Sequence, residues 1–156
     1  MSYKVDKFFK VSLEDNPSAQ TISTSYAEIT GSRCEVNSIN STKNLIYKFS
    51  FLSSSVSNAY FLHIKLQKSN DNFSSNIEDI PGCMINISGD TKNPSDDMFK
   101  TCSPFFVLEN FDSKYLRLVV RSYSTSTTAR LHTVNKYDGG TPSNIYFNTS
   151  LIVMEI

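Results

Sequence analysis

The chain of 156 residues has no tryptophan, only two histidines, three cysteines and five glycines. Alanine stands only at Ala19, Ala27, Ala59 and Ala129, a poor supply for helices. Cys34, Cys83 and Cys102 form no close pair, which argues against a disulfide framework and against a Cys-x-x-Cys zinc site. They read as small apolar fillers of strands. So few glycines leave no phosphate-cradling loop, and no serine stands in a Gly-x-Ser-x-Gly elbow. Charge of one sign does not dominate either. Fifteen basic residues balance fifteen acidic ones, without the electrostatic footprint of a general nucleic-acid or anionic-membrane binder. No apolar run approaches the roughly 20 residues of a membrane-spanning helix. Residues 1–7, with Asp6 among them, lack the apolar stretch of a secretory leader.

What the chain does contain is aromatic and hydroxylated. Phenylalanine and tyrosine number 11 and 8, while Ser and Thr make up about a quarter of the residues. Apolar residues set among Ser, Thr and Asn are the material of strands with polar outer faces and tight turns. Four Asn-x-Ser/Thr sequons, at Asn40, Asn72, Asn86 and Asn148, are no more than this composition yields by chance. A chain of this length buries most of its apolar surface in one core, so one domain is expected.

Period-2 alternation dominates the sequence. In residues 44–52, Leu45, Tyr47, Phe49 and Phe51 share one face. In residues 59–68, Tyr60, Leu62, Ile64 and Leu66 alternate with His63, Lys65 and Gln67. The polar linker 53–58 between them predicts a hairpin. Pro81-Gly82 predicts a turn, after which Cys83, Ile85 and Ile87 alternate to the stop at Gly89-Asp90. Residues 99–109 resume strand character, with Pro104 marking an edge or a break. In residues 114–124, Leu116, Leu118 and Val120 oppose Tyr115, Arg117, Val119, Arg121 and Tyr123. Residues 128–137 return as a strand that Asp138-Gly139-Gly140 closes, and a last strand is predicted over 145–156. Shorter candidates lie at 8–13, 21–23, 26–29 and 33–37. No window favours the helical period, and eight to ten strands suit a sandwich.

Several strands carry bulky groups on both faces, notably 114–124 and 145–156. In a two-sheet sandwich only one face of each sheet meets the core. Rows of Tyr, Ile and Met on an outer face therefore predict a partner, most economically another copy of the chain.

A resemblance gives this expectation a shape. Thr21-Ile22-Ser23-Thr24-Ser25-Tyr26-Ala27-Glu28-Ile29-Thr30-Gly31-Ser32 is followed by Leu45-Ile46-Tyr47-Lys48-Phe49-Ser50-Phe51 and Tyr60-Phe61-Leu62-His63-Ile64-Lys65-Leu66-Gln67. Then come Tyr115-Leu116-Arg117-Leu118-Val119-Val120-Arg121-Ser122-Tyr123, Ala129-Arg130-Leu131-His132, Tyr137-Asp138-Gly139 and the closing residues 151–156. This order of segments resembles the trimeric TNF/C1q-like jelly-roll modules of phage virion proteins, marine phages especially. It spans residues 18–156 as a single jelly-roll domain, with 1–17 as an N-terminal arm or first strand. The resemblance implies an all-β, jelly-roll-type sandwich of antiparallel strands. It also implies a non-enzymatic virion component, a homotrimer that decorates a capsid or forms part of a tail or fibre among other capsid or tail proteins. Carried over, the trimer-interface candidates are Tyr115, Tyr123, Tyr146, Ile152 and Met154.

Catalytic chemistry has little to stand on in these residues. His63 and His132 sit mid-strand and read as outward-facing or hydrogen-bonded strand histidines, although a Cys–His pair could meet in space. Residues 71–97 hold Asp71, Glu78, Asp79, Asp90, Asp96 and Asp97 against Lys92. Their spacing fits no calcium loop, so no metal and no cofactor are expected. Arg117, Arg121 and Arg130 read as paired with carboxylates or set on an interface rim. The competing function is a glycan- or receptor-binding adhesin at a virion tip, since jelly rolls often serve as lectins. Tyr26, Tyr60, Tyr137 and Tyr146 are its candidate platforms, and Tyr137 beside Asp138 is the contact best placed for a host surface glycan.

Overall fold

Alternation of apolar and polar side chains becomes fourteen strands and no helix among the described residues. The computed structural model describes residues 7–14, 19–36, 43–55, 59–89, 98–123, 129–138, 141–146 and 148–156. The larger sheet has the order β1 (Lys7–Glu14), β14 (Thr149–Glu155), β5 (Leu45–Ser55), β11 (Ala129–Leu131), β2 (Gln20–Thr21). Two further strands, β8 (Met98–Cys102) and β9 (Phe105–Leu108), also pair with β5. The smaller sheet runs β3 (Ala27–Glu28), β10 (Tyr115–Ser122), β6 (Tyr60–Ser69), β7 (Ile77–Gly89), with β4 (Cys34–Glu35) beside β10. A separate hairpin joins β12 (Thr133–Asp138) to β13 (Thr141–Tyr146). Every pairing is antiparallel, and the two sheets face each other as a jelly-roll-type β-sandwich. Ten of the strands are four residues or longer.

The core is made by the alternating faces. Tyr47, Phe49, Phe51, Leu151 and Val153 of the larger sheet meet Leu62, Ile64, Leu66, Leu116, Leu118 and Val120 of the smaller one, all fully buried. Each such side chain contributes about 1.5–3 kcal/mol by leaving water. Polar stitches close the ends of this core. Tyr47 donates its hydroxyl to the carbonyl of Ser32 at 2.5 Å, and burial pushes the phenol well above its ordinary pKa. Ser32 Oγ accepts from the Leu118 N–H at 3.1 Å.

β5 organises the larger sheet from both edges. Phe49 N–H donates to Pro104 at 3.1 Å on one side, and Leu52 accepts from His132 N–H at 2.8 Å on the other. So β9 and β8 follow each other along one edge, while β14 and β11 follow each other along the opposite one. The break between β8 and β9 falls at Pro104, which has no N–H to give to a ladder.

Four expectations are corrected. Ser53, Ser54 and Ser55 belong to β5 and are buried, and β5 and β6 lie in different sheets, so the two strands do not pair as a hairpin. Pro81-Gly82 is not a turn between strands. Register pairs Lys65 with Met84 and Gln67 with Asp79, so residues 80–83 bulge opposite Leu66 alone, with Gly82 at φ +76°. The strand read over 128–137 breaks at His132, whose φ is +67°, and the closing strand is split into β13 and β14. The loop 90–97, the turn 124–127 and the tip 139–140 lie outside the described residues.

Candidate functional site

The two outer faces of the sandwich differ in chemistry. On the larger sheet, register brings Ile152, Lys48 and Phe105 into one row and Met154, Ile46 and Val107 into the next. Directly paired side chains share a face and stand about 4.5–5.5 Å apart at Cβ. Leu151 and Val153 point inward, so Ile152 and Met154 point out and are half-buried. Phe105 and Val107 are 54% and 47% exposed. Four apolar side chains thus line this outer face as a strip beside Lys48, with Ile46, the register partner of Met154 and Val107, buried among them. β1 borders the strip, pairing Val11 with Ile152 and Phe8 with Met154.

The smaller sheet's outer face is instead a charged network. Glu28 on β3 receives Arg33 Nε at 3.0 Å and Arg117 Nη1 at 3.2 Å. Arg117 Nε reaches Gln67 Oε1 at 3.1 Å, Gln67 Nε2 reaches Asp79 Oδ1 at 2.8 Å, and Lys65 Nζ reaches Asp79 Oδ2 at 2.5 Å. Burial pushes the Asp79 carboxyl up, but the bonds from Lys65 and Gln67 outweigh it and hold the group below its ordinary pKa. Phe73 lies under two guanidinium groups, Arg117 at 4.1 Å and Arg33 at 5.2 Å from its ring centre. Val119, paired in register with Glu28 and Lys65 of this network, is buried although it faces outward.

Beyond this network the face turns aromatic. Tyr26 hydrogen-bonds through its hydroxyl to His63 Nδ1 and carries Lys65 Nζ 4.0 Å and Arg121 Cζ 5.0 Å from its ring centre. Phe61 and Tyr123 pack edge to face at 5.9 Å and are 42% and 75% exposed. Arg121 differs from its neighbours Arg33 and Arg117: among the described residues it makes no ion pair, and its buried Nε meets no acceptor.

The sequence-derived interface candidates therefore separate. Tyr115 and Tyr123 lie on the smaller sheet's outer face, where Tyr115 packs edge to face with Phe73 at 6.4 Å. Ile152 and Met154 lie on the larger sheet's outer face, so these four do not form one patch. The side chains of Tyr146, Tyr137 and Asp138, on the separate hairpin, are outside those described. Of the three arginines read as carboxylate-paired or interface-rim residues, Arg117 pairs with Glu28, Arg121 shares its sheet without an ion pair among the described residues, and Arg130 sits on β11 of the larger sheet. Tyr60, read as a candidate glycan platform, is buried and hydrogen-bonded to Ser53 Oγ at 3.0 Å.

His132 overturns its own reading. It is not outward-facing: its ring is fully buried, edge-on to Phe51 at 6.4 Å, and neither ring nitrogen has a hydrogen-bond partner among the described residues. Burial lowers its pKa from 6.5 to about 4.

The acidic stretch is committed to structure where it is described. Asp71 accepts hydrogen bonds from the N–H groups of Ser74, Ser75 and Asn76 and from the Ser69 and Ser75 hydroxyls, which hold its carboxyl far below the ordinary range. Glu78 pairs with Lys68, and Asp90, Asp96 and Asp97 lie outside the described residues. No group of three metal-ligating side chains gathers among the described residues. A groove of about 330 Å³ opens between the β7 bulge and residues 107–112, lined by Ile80, Pro81, Cys83, Phe111, Lys68 and Asp112. Burial raises the Cys83 thiol, which keeps it protonated and a poor nucleophile.

Alternation missed the Glu28 hub and the Tyr26–His63 bond, because Tyr26 precedes a strand of two residues. Phe105 and Val107 were legible as one face of a strand, though not as neighbours of Ile152 and Met154, which lie across β5. The class these observations define is an antiparallel jelly-roll β-sandwich with one apolar and one charged outer face. Comparison with models of known protein families and with curated proteins returned no match.

Proposed function

We propose that the protein is a non-enzymatic structural component of a virus particle, a homotrimer of the kind that decorates a phage capsid or forms part of a tail or fibre. The observation that carries the reading is the strip of Ile152, Met154, Phe105 and Val107 around the buried Ile46 on the outer face of the larger sheet. A contiguous apolar strip on an outer sheet face suits burial against another subunit. The resemblance of the segment order to trimeric jelly-roll virion modules supplies the partner, a second and third copy of this chain. β14 lies between β1 and β5, so the strip includes the closing strand, near which such modules make their threefold contact.

Light scattering behind size exclusion on the full-length chain tests the assembly. A mass three times 17.6 kDa, stable on dilution, is the expected result. A monomer at every concentration overturns the trimer. Copy number in purified particles then separates the roles: hundreds of copies are expected for a capsid decoration, whereas a few to tens indicate a tail or fibre position, where glycan binding distinguishes the adhesin.

A further inference from the structure

The smaller sheet's outer face carries a second, unrelated feature. Its carboxylates are already committed, Glu28 to Arg33 and Arg117, and Asp79 to Lys65 and Gln67. Arg121 is left without an ion pair among the described residues, and its guanidinium is fixed by packing against Tyr26, whose hydroxyl is tied to His63. One residue pair further along the sheet stand the exposed rings of Phe61 and Tyr123. On the neighbouring strand, register sets the exposed Asn86 opposite His63 and the exposed Ser88 opposite Phe61.

We propose that Arg121, Phe61, Tyr123, Asn86 and Ser88 form a binding site for a carboxylate-bearing sugar, the acidic residue of a uronate-type glycan. An uncompensated guanidinium offers the paired, parallel donors that a carboxylate accepts. Exposed aromatic rings offer an apolar platform to the C–H face of a pyranose, and Asn86 and Ser88 offer partners for ring hydroxyls. A neutral sugar would offer the guanidinium single hydroxyl acceptors but no compensating charge, and an acidic peptide would make little use of the platform. The site lies on the face opposite the proposed trimer strip, so it stands or falls independently of assembly.

Isothermal titration of the full-length chain with tri-galacturonate tests it, with fully methyl-esterified tri-galacturonate and hexaglutamate as comparators. Binding of tri-galacturonate is expected, with the ester and hexaglutamate each weaker by about tenfold or more. Arg121→Gln is expected to weaken binding about tenfold and Tyr123→Ala several-fold, with circular dichroism and melting unchanged. The proposal is overturned by no tri-galacturonate binding at about 10 mM ligand, a range covering very weak sites. Equal binding by a folded Arg121→Gln variant overturns it as well, and so does hexaglutamate binding as tightly as the sugar.

Discussion

At the scale of a residue, His132 shows how a side chain that looks ordinary in sequence ties folding to pH. Its ring is fully buried, and both nitrogens are unpartnered among the described residues, so the folded protein holds it neutral. Burial lowers its pKa from 6.5 to about 4. As pH falls, the unfolded chain therefore binds the proton first, and the equilibrium shifts toward unfolding. This contribution is whole above pH 6.5, declines below it, and is lost by about pH 4. Each tenfold difference in proton affinity between the two states is worth about 1.36 kcal/mol, so the whole is on the order of 3 kcal/mol. Urea unfolding at about pH 7.5 and about pH 4.5 should show the loss of about 2–3 kcal/mol from this group. Asparagine tolerates the φ of +67° but does not titrate, so His132→Asn should flatten the difference by that amount. An equal drop in both proteins would mean that other groups carry the pH dependence.

At the scale of an element, β7 shows two glycines with different duties. Gly82 sits in the bulge at φ +76° with nothing within 4 Å of an added Cβ. Gly89 pairs with Tyr60, and a Cβ there would stand 2.3 Å from the Tyr60 ring. That ring is buried and its hydroxyl is bonded to Ser53, so it cannot swing aside without breaking a core contact. Gly82→Ala should cost roughly 1 kcal/mol, from backbone conformation alone. Gly89→Ala should cost about 1–3 kcal/mol, as overpacking does, and should melt at the lower temperature of the two. The reverse order in thermal unfolding would show that Tyr60 relaxes. Long strands such as β5, β6 and β10 were legible because alternation reports a buried face directly. What alternation omits is which neighbour buries that face. Leu45 to Leu52 and Tyr60 to Lys68 present the same pattern whether they pair edge to edge or face each other across a core. Pro81-Gly82 reads as a turn because its residues favour one, yet β6 continues past it and the strand absorbs it as a bulge. His132 reads as outward by period, but positive φ breaks the period where it stands.

At the scale of the whole molecule, the sandwich is asymmetric. The charged residues of the smaller sheet's outer face largely satisfy one another through Glu28, Asp79 and Gln67, and that face is stable in water as it stands. The larger sheet's strip holds only Lys48 as a charge, and Phe105 and Val107 gain nothing from solvent. The proposed trimer removes this imbalance by burying the strip, since a stable interface hides roughly 800 Å² on each partner. A carboxylate placed in the strip discriminates between an interface and a merely apolar surface. Val107→Glu costs an exposed monomer little, because the side chain remains in water. In the trimer, the same change buries a charge in each of three copies and breaks assembly. The expected outcome for Val107→Glu, and for Met154→Glu, is a folded monomer by light scattering, with the far-ultraviolet dichroism of the parent. Lys114→Glu, whose lysine makes no ion pair among the described residues and lies away from the strip, should remain a trimer. If both strip variants stay trimeric while folded, the threefold contact lies elsewhere on the molecule and the apolar strip is not the assembly interface.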